Sequence, residues 1–175
     1  MALALNQAFF PIVANAFGQG REQGLRIVQT TVFPLFILMA GVSAGLWIIA
    51  PYFITLFYGN QFGDAISVLR IVSLLPLTIG MSNLLGIHTM LNLRMDRAFF
   101  VITAIGSVIG LGLNALFIQR LGHIGAAYAW VLAEVYTVLA MYGFLRFKGV
   151  QVIKFDYLRE AIAFGKDRVQ ALLTR

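Results

Sequence analysis

Long uncharged apolar runs alternate along this chain with short polar punctuation. Residues 1–20 carry no charge; Arg21, Glu22 and Arg26 follow, and residues 27–63 are then 37 uncharged positions in a row. Two further uncharged runs follow, 23 residues over 71–93 and 22 over 98–119. The last, over 121–145, is 25 residues long and is interrupted only by Glu134. A membrane-spanning helix needs about 20 predominantly apolar residues, and lipid offers no partner to an open backbone, so each run predicts helix. The 27–63 run is too long for one crossing. Pro51 has no N–H to continue a helix begun near Val28 and is expected to end it. Tyr52 to Tyr58 then reads as an aromatic interfacial segment, and 59–64 as a turn. Pro76 leaves the carbonyl of Val72 without its helical donor, which predicts a kink.

The expected fold is therefore all-α. It is a polytopic transmembrane helix bundle with four full spans near 28–51, 65–91, 97–119 and 123–146, and a partial helix over 3–17. Residues 1–148 form that bundle and 149–175 a basic tail. In the tail Leu158, Ile162, Gly165, Val169 and Leu172 recur at helical spacing behind Asp156, a good N-cap, which predicts an amphipathic cytoplasmic helix. The 3–17 segment has no basic n-region and no cleavage site, so it is not read as a signal peptide.

Composition strengthens this picture. Of 175 residues, 60% are hydrophobic and only 11% charged, with mean hydropathy +0.86; a soluble domain carries roughly 25% charged residues. There is no cysteine, which removes disulfide, thiolate-metal and cysteine-nucleophile chemistry. Charge then sets orientation. Arg21, Arg26, Arg94, Arg97 and the seven basic residues from Arg146 onward share one side, eleven of thirteen, against Arg70 and Arg120 on the other. The positive-inside rule places that side, and the C-terminus, in the cytoplasm. The tail admits two readings, a helix lying on an anionic leaflet or an ordinary positive-inside tail. Membrane lipid is a partner in either case.

Within the spans, Glu134 is the candidate for chemistry. A carboxylate in the bilayer needs protonation, pairing or hydration. That suits a proton- or cation-handling group, and equally a neutral carboxyl that ties helices together. Asn83 and Asn114, with His88 and Gln119, are candidates to line the same polar interior, His88 lying nearer the cytoplasmic interface. Thr103, Gly106, Ser107, Gly110 and Asn114 form one helical stripe, for which packing is favoured over a substrate path. Gly41/Gly45 and Gly106/Gly110 are GxxxG pairs, and Ala129 and Ala133 extend the small-residue theme, so all six are read as helix-packing positions. No HExxH, Walker A lysine loop or GxSxG occurs, there are only two histidines, and the seven acids are scattered with no pair poised for acid–base work. No cofactor, no metal, no enzymatic activity and no nucleic-acid partner are expected.

Several stretches together resemble the polysaccharide transporter family, the lipid-linked oligosaccharide flippases, in a superfamily shared with multidrug-and-toxin extruders and the lipid II flippase. Phe9-Phe10-Pro11-Ile12-Val13 resembles the proline-bearing end of one of their helices. Leu56-Phe57-Tyr58-Gly59-Asn60-Gln61-Phe62, with Ala65 and Leu69-Arg70-Ile71, is similar to their phenylalanine–glycine turn. Residues 121–129, Leu-Gly-His-Ile-Gly-Ala-Ala-Tyr-Ala, look like their last external turn, with Glu134 in the next helix. The resemblance covers about 5–147 and implies a carrier of two pseudosymmetric lobes working by alternating access. It implies a substrate too: an undecaprenyl-diphosphate-linked oligosaccharide moved across the bacterial inner (cytoplasmic) membrane for O-antigen, capsule or exopolysaccharide. On this resemblance the chain is expected to be the C-terminal portion of such a protein, from a truncated gene or a split product, and to need the first lobe for transport. Two alternatives stay open: another exporter of the superfamily, for drugs or peptidoglycan precursors, and a small membrane scaffold that transports nothing.

Overall fold

The computed structural model describes residues 2–153, with side chains from Pro11 onward. The expected tail helix behind Asp156 lies outside the described residues. Among the described residues the regular elements are all helical: α1 (Ala2–Gln19), α2 (Arg21–Tyr58), a 3-10 turn (Asn60–Phe62), α3 (Gly63–Val72), α4 (Leu75–Leu85), a π-helical turn (Gly86–Leu91) and α5 (Asp96–Phe147). Three stretches are long and apolar enough to cross a membrane: Arg21–Tyr58, Asn60–Leu91 and Asp96–Phe147.

Two boundaries differ from the sequence reading. Between the expected partial helix at 3–17 and the first expected span at 28 only Gly20 interrupts the helix, and α2 begins at Arg21. Pro51 does not end α2, which continues through it and through Pro34 to Tyr58. A proline removes one donor, whereas leaving the helix in a waterless surround would strand several, so the apolar sequence carries the helix on. Thr55 helps by donating its hydroxyl to the carbonyl of Pro51 at 2.7 Å. The chain turns only at Gly59, whose φ of 87° is open to glycine and strained for other residues. The expected kink near Pro76 falls at Ser73–Leu74, between α3 and α4, with the proline in the first turn of α4.

α5 has 52 residues, about 78 Å of helix against a hydrocarbon core of about 30 Å. Gly122 breaks it, with φ 57° and ψ −135°, a conformation available essentially to glycine alone. The two halves fold back on each other. A Cβ on Gly106 would come 2.7 Å from Thr137 Oγ1, and one on Gly110 3.2 Å from the Ala133 Cβ. These pairs fix an antiparallel register in which the glycines let the two backbones approach. Gly41 and Gly45 do not share that role. Nothing lies within 4 Å of where their side chains would be, because their face of α2 turns away from the other described helices.

The core sits at one end of the bundle. Val28 and Val32 of α2, Leu84 and Leu85 of α4, Met90, and Ile102, Met141 and Leu145 of α5 pack there with Val13 of α1. At the opposite end Tyr52, Leu56 and Phe57 are exposed, as side chains bathed in lipid or its interface would be. The bundle does not stop at residue 148, where the sequence reading divided it from the tail. Gly149 (φ 72°) turns the chain, with Val150 N–H bonded to Leu145 O at 2.9 Å in a glycine-capped helix end. Val150 and Val152 then bury themselves in the core, while Gln151 and Ile153 alternate outward. The Gln29 side-chain amide donates to the Gln151 carbonyl and straps α2 to the end of α5. Val152→Ala should therefore cost about 2 kcal/mol and Ile153→Ala well under ~1 kcal/mol. Thermal unfolding of the two variants in detergent, compared side by side, checks this.

Candidate functional site

A polar groove of about 520 Å³ runs between α4 and the two halves of α5. Its wall from α4 carries Ser82 and Asn83, one half of α5 contributes Thr103, Ser107 and Asn114, and the other Glu134 and Thr137. The three polar candidates of the sequence, Asn83, Asn114 and Glu134, thus line one space although up to 51 residues separate them in the chain. The α5 hairpin brings Asn114 to Glu134, and the packing of α4 against α5 adds Asn83. The glycines that let its halves approach, Gly106 and Gly110, also line the groove floor, as does Ala133.

Most hydroxyls here are already used by their own helix. Thr103 donates to Phe99 O at 2.9 Å, Ser107 to Thr103 O at 3.0 Å and Thr137 to Ala133 O at 2.9 Å. The Asn114 amide donates to Gly110 O at 3.0 Å, leaving its carbonyl oxygen toward the groove's acceptor inventory. Ser82 lies within hydrogen-bonding reach of Glu134 and 3.1 Å from Ile79 O; with one proton to give, it serves one of them at a time. The half-buried Glu134 carboxyl is thus the one ionisable side chain in an otherwise neutral polar wall. Such a wall can hold a proton, coordinate a cation through carboxylate and amide oxygens, or receive hydroxyl-rich substrate groups. No group of three or more His, Asp or Glu capable of holding a metal occurs among the described residues.

The remaining sequence candidates sit elsewhere. Ala129 is fully buried and does not line the groove, Gly41 and Gly45 lie on the outer face of α2, and Pro76 is in the first turn of α4. His88 is not at an exposed interface but buried in the π-helical turn. Ser82 and Thr137 were missed by sequence reasoning. Thr137 follows Glu134 by three positions and so shares its helix face, a signal that was available; Ser82 had none, since only the packing of α4 against α5 brings it to the carboxylate.

Comparison with known proteins adds a relative to this geometry. The chain is similar to the "Putative O-antigen transporter" of Escherichia coli (strain K12). The two are 25% identical over 142 residues, covering 81% of this chain. That region is 34% of the Escherichia coli protein, so the chain spans about a third of the length of the relative it matches. The matched stretch is long enough to include most of the helices that build the groove. No family model matches the chain, and no solved structure does.

Proposed function

We propose that this chain is part of a bacterial membrane exporter that moves lipid-linked oligosaccharide, an undecaprenyl-diphosphate-bound repeat unit, across the inner membrane by alternating access. The observation that carries this reading is the similarity to the Escherichia coli protein over most of the present chain. The polar groove supports it, because a wall of amides, hydroxyls and one carboxylate within apolar helices is what a path for a sugar or a coupling ion requires. In this reading the chain crosses the membrane four times, through α2, the α3-to-π segment and each half of α5, with the basic end and the C-terminus in the cytoplasm. Glu134 serves as the proton- or cation-handling group, and Asn83 and Asn114 present neutral hydrogen-bonding groups to the path. The chain performs no covalent chemistry and needs no cofactor. The groove is one wall; helices equivalent to the rest of the relative form the other.

The test is rescue of surface polysaccharide in a bacterium lacking its own O-antigen exporter. The chain is supplied alone, and then with a second polypeptide corresponding to the remaining two-thirds of the relative. Polysaccharide restored only by the pair supports the proposal. Stable membrane insertion with no polysaccharide in either case would overturn it, and altered drug sensitivity instead would assign the groove to another class of exported molecule.

A further inference from the structure

The groove wall holds a large aromatic ring that its polar residues leave unused. Trp130 lines the groove with Glu134 and Thr137, which follow it by one and two turns on the same face of α5. Asn114 lines the facing wall, and the register that sets Gly110 against Ala133 puts it within one residue of the level of Trp130. Trp130 is 53% exposed. Its depth is unusual for a membrane tryptophan. It stands about 12 Å of helix from the bend at Gly122 and about 25 Å from Phe147. That is inside the hydrocarbon, whereas tryptophans gather at the interfaces. The other tryptophan, Trp47, has the Arg70 guanidinium over its ring at 4.6 Å. Trp130 has neither a ring contact nor a hydrogen bond among the described residues.

The charge of the wall narrows what can lie on that ring. The lining contains Glu134 and, among the described residues, no Lys, Arg or His. An anionic group brought there would give up its water and meet no cation. A neutral sugar ring answers both features. One face of a pyranose is a patch of C–H bonds, slightly positive, which lies favourably on the electron-rich face of an indole. Its rim of hydroxyls both donates and accepts, as amides and a carboxyl require. The groove, at about 520 Å³, falls in the range of small-molecule sites.

We propose that Trp130 is a stacking platform for an uncharged pyranose ring, whose hydroxyls turn toward Asn114 and Glu134. The assignment rests on the reading of the groove as an oligosaccharide path and narrows it: this wall takes a neutral sugar, not a phosphate or a uronate. The test uses the full chain in tetraethylene glycol monooctyl ether, a detergent without sugar. Dodecyl β-D-glucoside is titrated in and followed by native mass spectrometry. Dodecyl β-D-glucuronide and dodecyl octaethylene glycol ether, with the same alkyl chain, are the comparison probes. The glucoside should bind in preference to both. Trp130→Leu should weaken it about fivefold and Trp130→Phe, which keeps a ring, about twofold. Neither variant should shift the thermal midpoint appreciably, since the side chain is half-exposed. In Trp47→Phe, where Trp130 is the single tryptophan, the glucoside should change the emission in a saturable way. In Trp130→Leu the emission of Trp47 should stay fixed. Glucoside bound no better than the glycol ether would overturn the proposal, as would unchanged glucoside affinity in Trp130→Leu. A glucuronide bound as tightly as the glucoside would overturn the assignment to neutral sugars. Because this binding needs no transport, a glucoside preference without polysaccharide rescue would uphold the platform and fail the export reading; rescue with no such preference would do the reverse.

Discussion

A chain carrying Gly125→Ala is expected to be about 2–3 kcal/mol less stable than the parent, a large effect for one methyl group. Gly125 follows the Gly122 break by one turn, where the second half of α5 leaves the hairpin bend. A Cβ at Gly125 would overlap the Phe117 carbonyl and lie 3.0 Å from Ile118 N. Those atoms are backbone and cannot rotate aside as a side chain can, so the two halves of α5 must separate. Gly112→Ala is the control. It lies on the same helix with nothing within 4 Å of the new methyl, and the better helix propensity of alanine should leave it neutral or up to about 1 kcal/mol more stable. Unfolding of both variants in the same detergent measures the difference. If the two prove equally stable, the α5 hairpin is not packed as described. Because the hairpin register also assembles the groove, Gly125→Ala should further separate Asn114 from Glu134.

The second large effect is expected at Glu134. Glutamine in its place keeps the size and a hydrogen bond within reach of Ser82 but can neither release a proton nor balance a cation. If the carboxyl couples transport to an ion, its loss removes about 2.3 kcal/mol of driving force per 100 mV for each charge moved, roughly a fiftyfold change in the attainable gradient. Polysaccharide rescue by the two-polypeptide system should accordingly collapse with Glu134→Gln and lose its dependence on external pH. Glu134→Asp, which retains the charge on a shorter stem, should keep part of both. Membrane levels of each variant, measured alongside, separate this from a folding defect. Full rescue by Glu134→Gln at every pH would remove the residue from the mechanism and leave it a helix-joining carboxyl.

These two residues show where sequence and structure divide the work. Charge-free runs longer than the bilayer left the chain no choice but helix, because lipid supplies no partner for an unpaired backbone. The arithmetic of 20-residue crossings marked the apolar stretches, and the sequence named Glu134, Asn83 and Asn114 as the polar groups inside them. That much is local: it depends on each residue's transfer energy and on helical period. Proline at 51 was misread for the same reason. A local rule ends the helix there, but the lack of water around α2 makes continuation the smaller cost.

Only the tertiary structure decided which small residues pack. Gly106 and Gly41 each open a GxxxG pair, yet one meets Thr137 and the other meets nothing, since the difference lies in how each helix is rotated against its neighbours. It also decided that Val150 and Val152 return to the core instead of leaving with the tail, because Gly149 can turn where its neighbours cannot. Above all it made a groove of scattered polar residues. The sequence alone determined that this chain is a helical membrane protein with an acid inside an apolar span; the antiparallel fold of α5 about Gly122, a contact between residues far apart in the chain, determined what that acid faces.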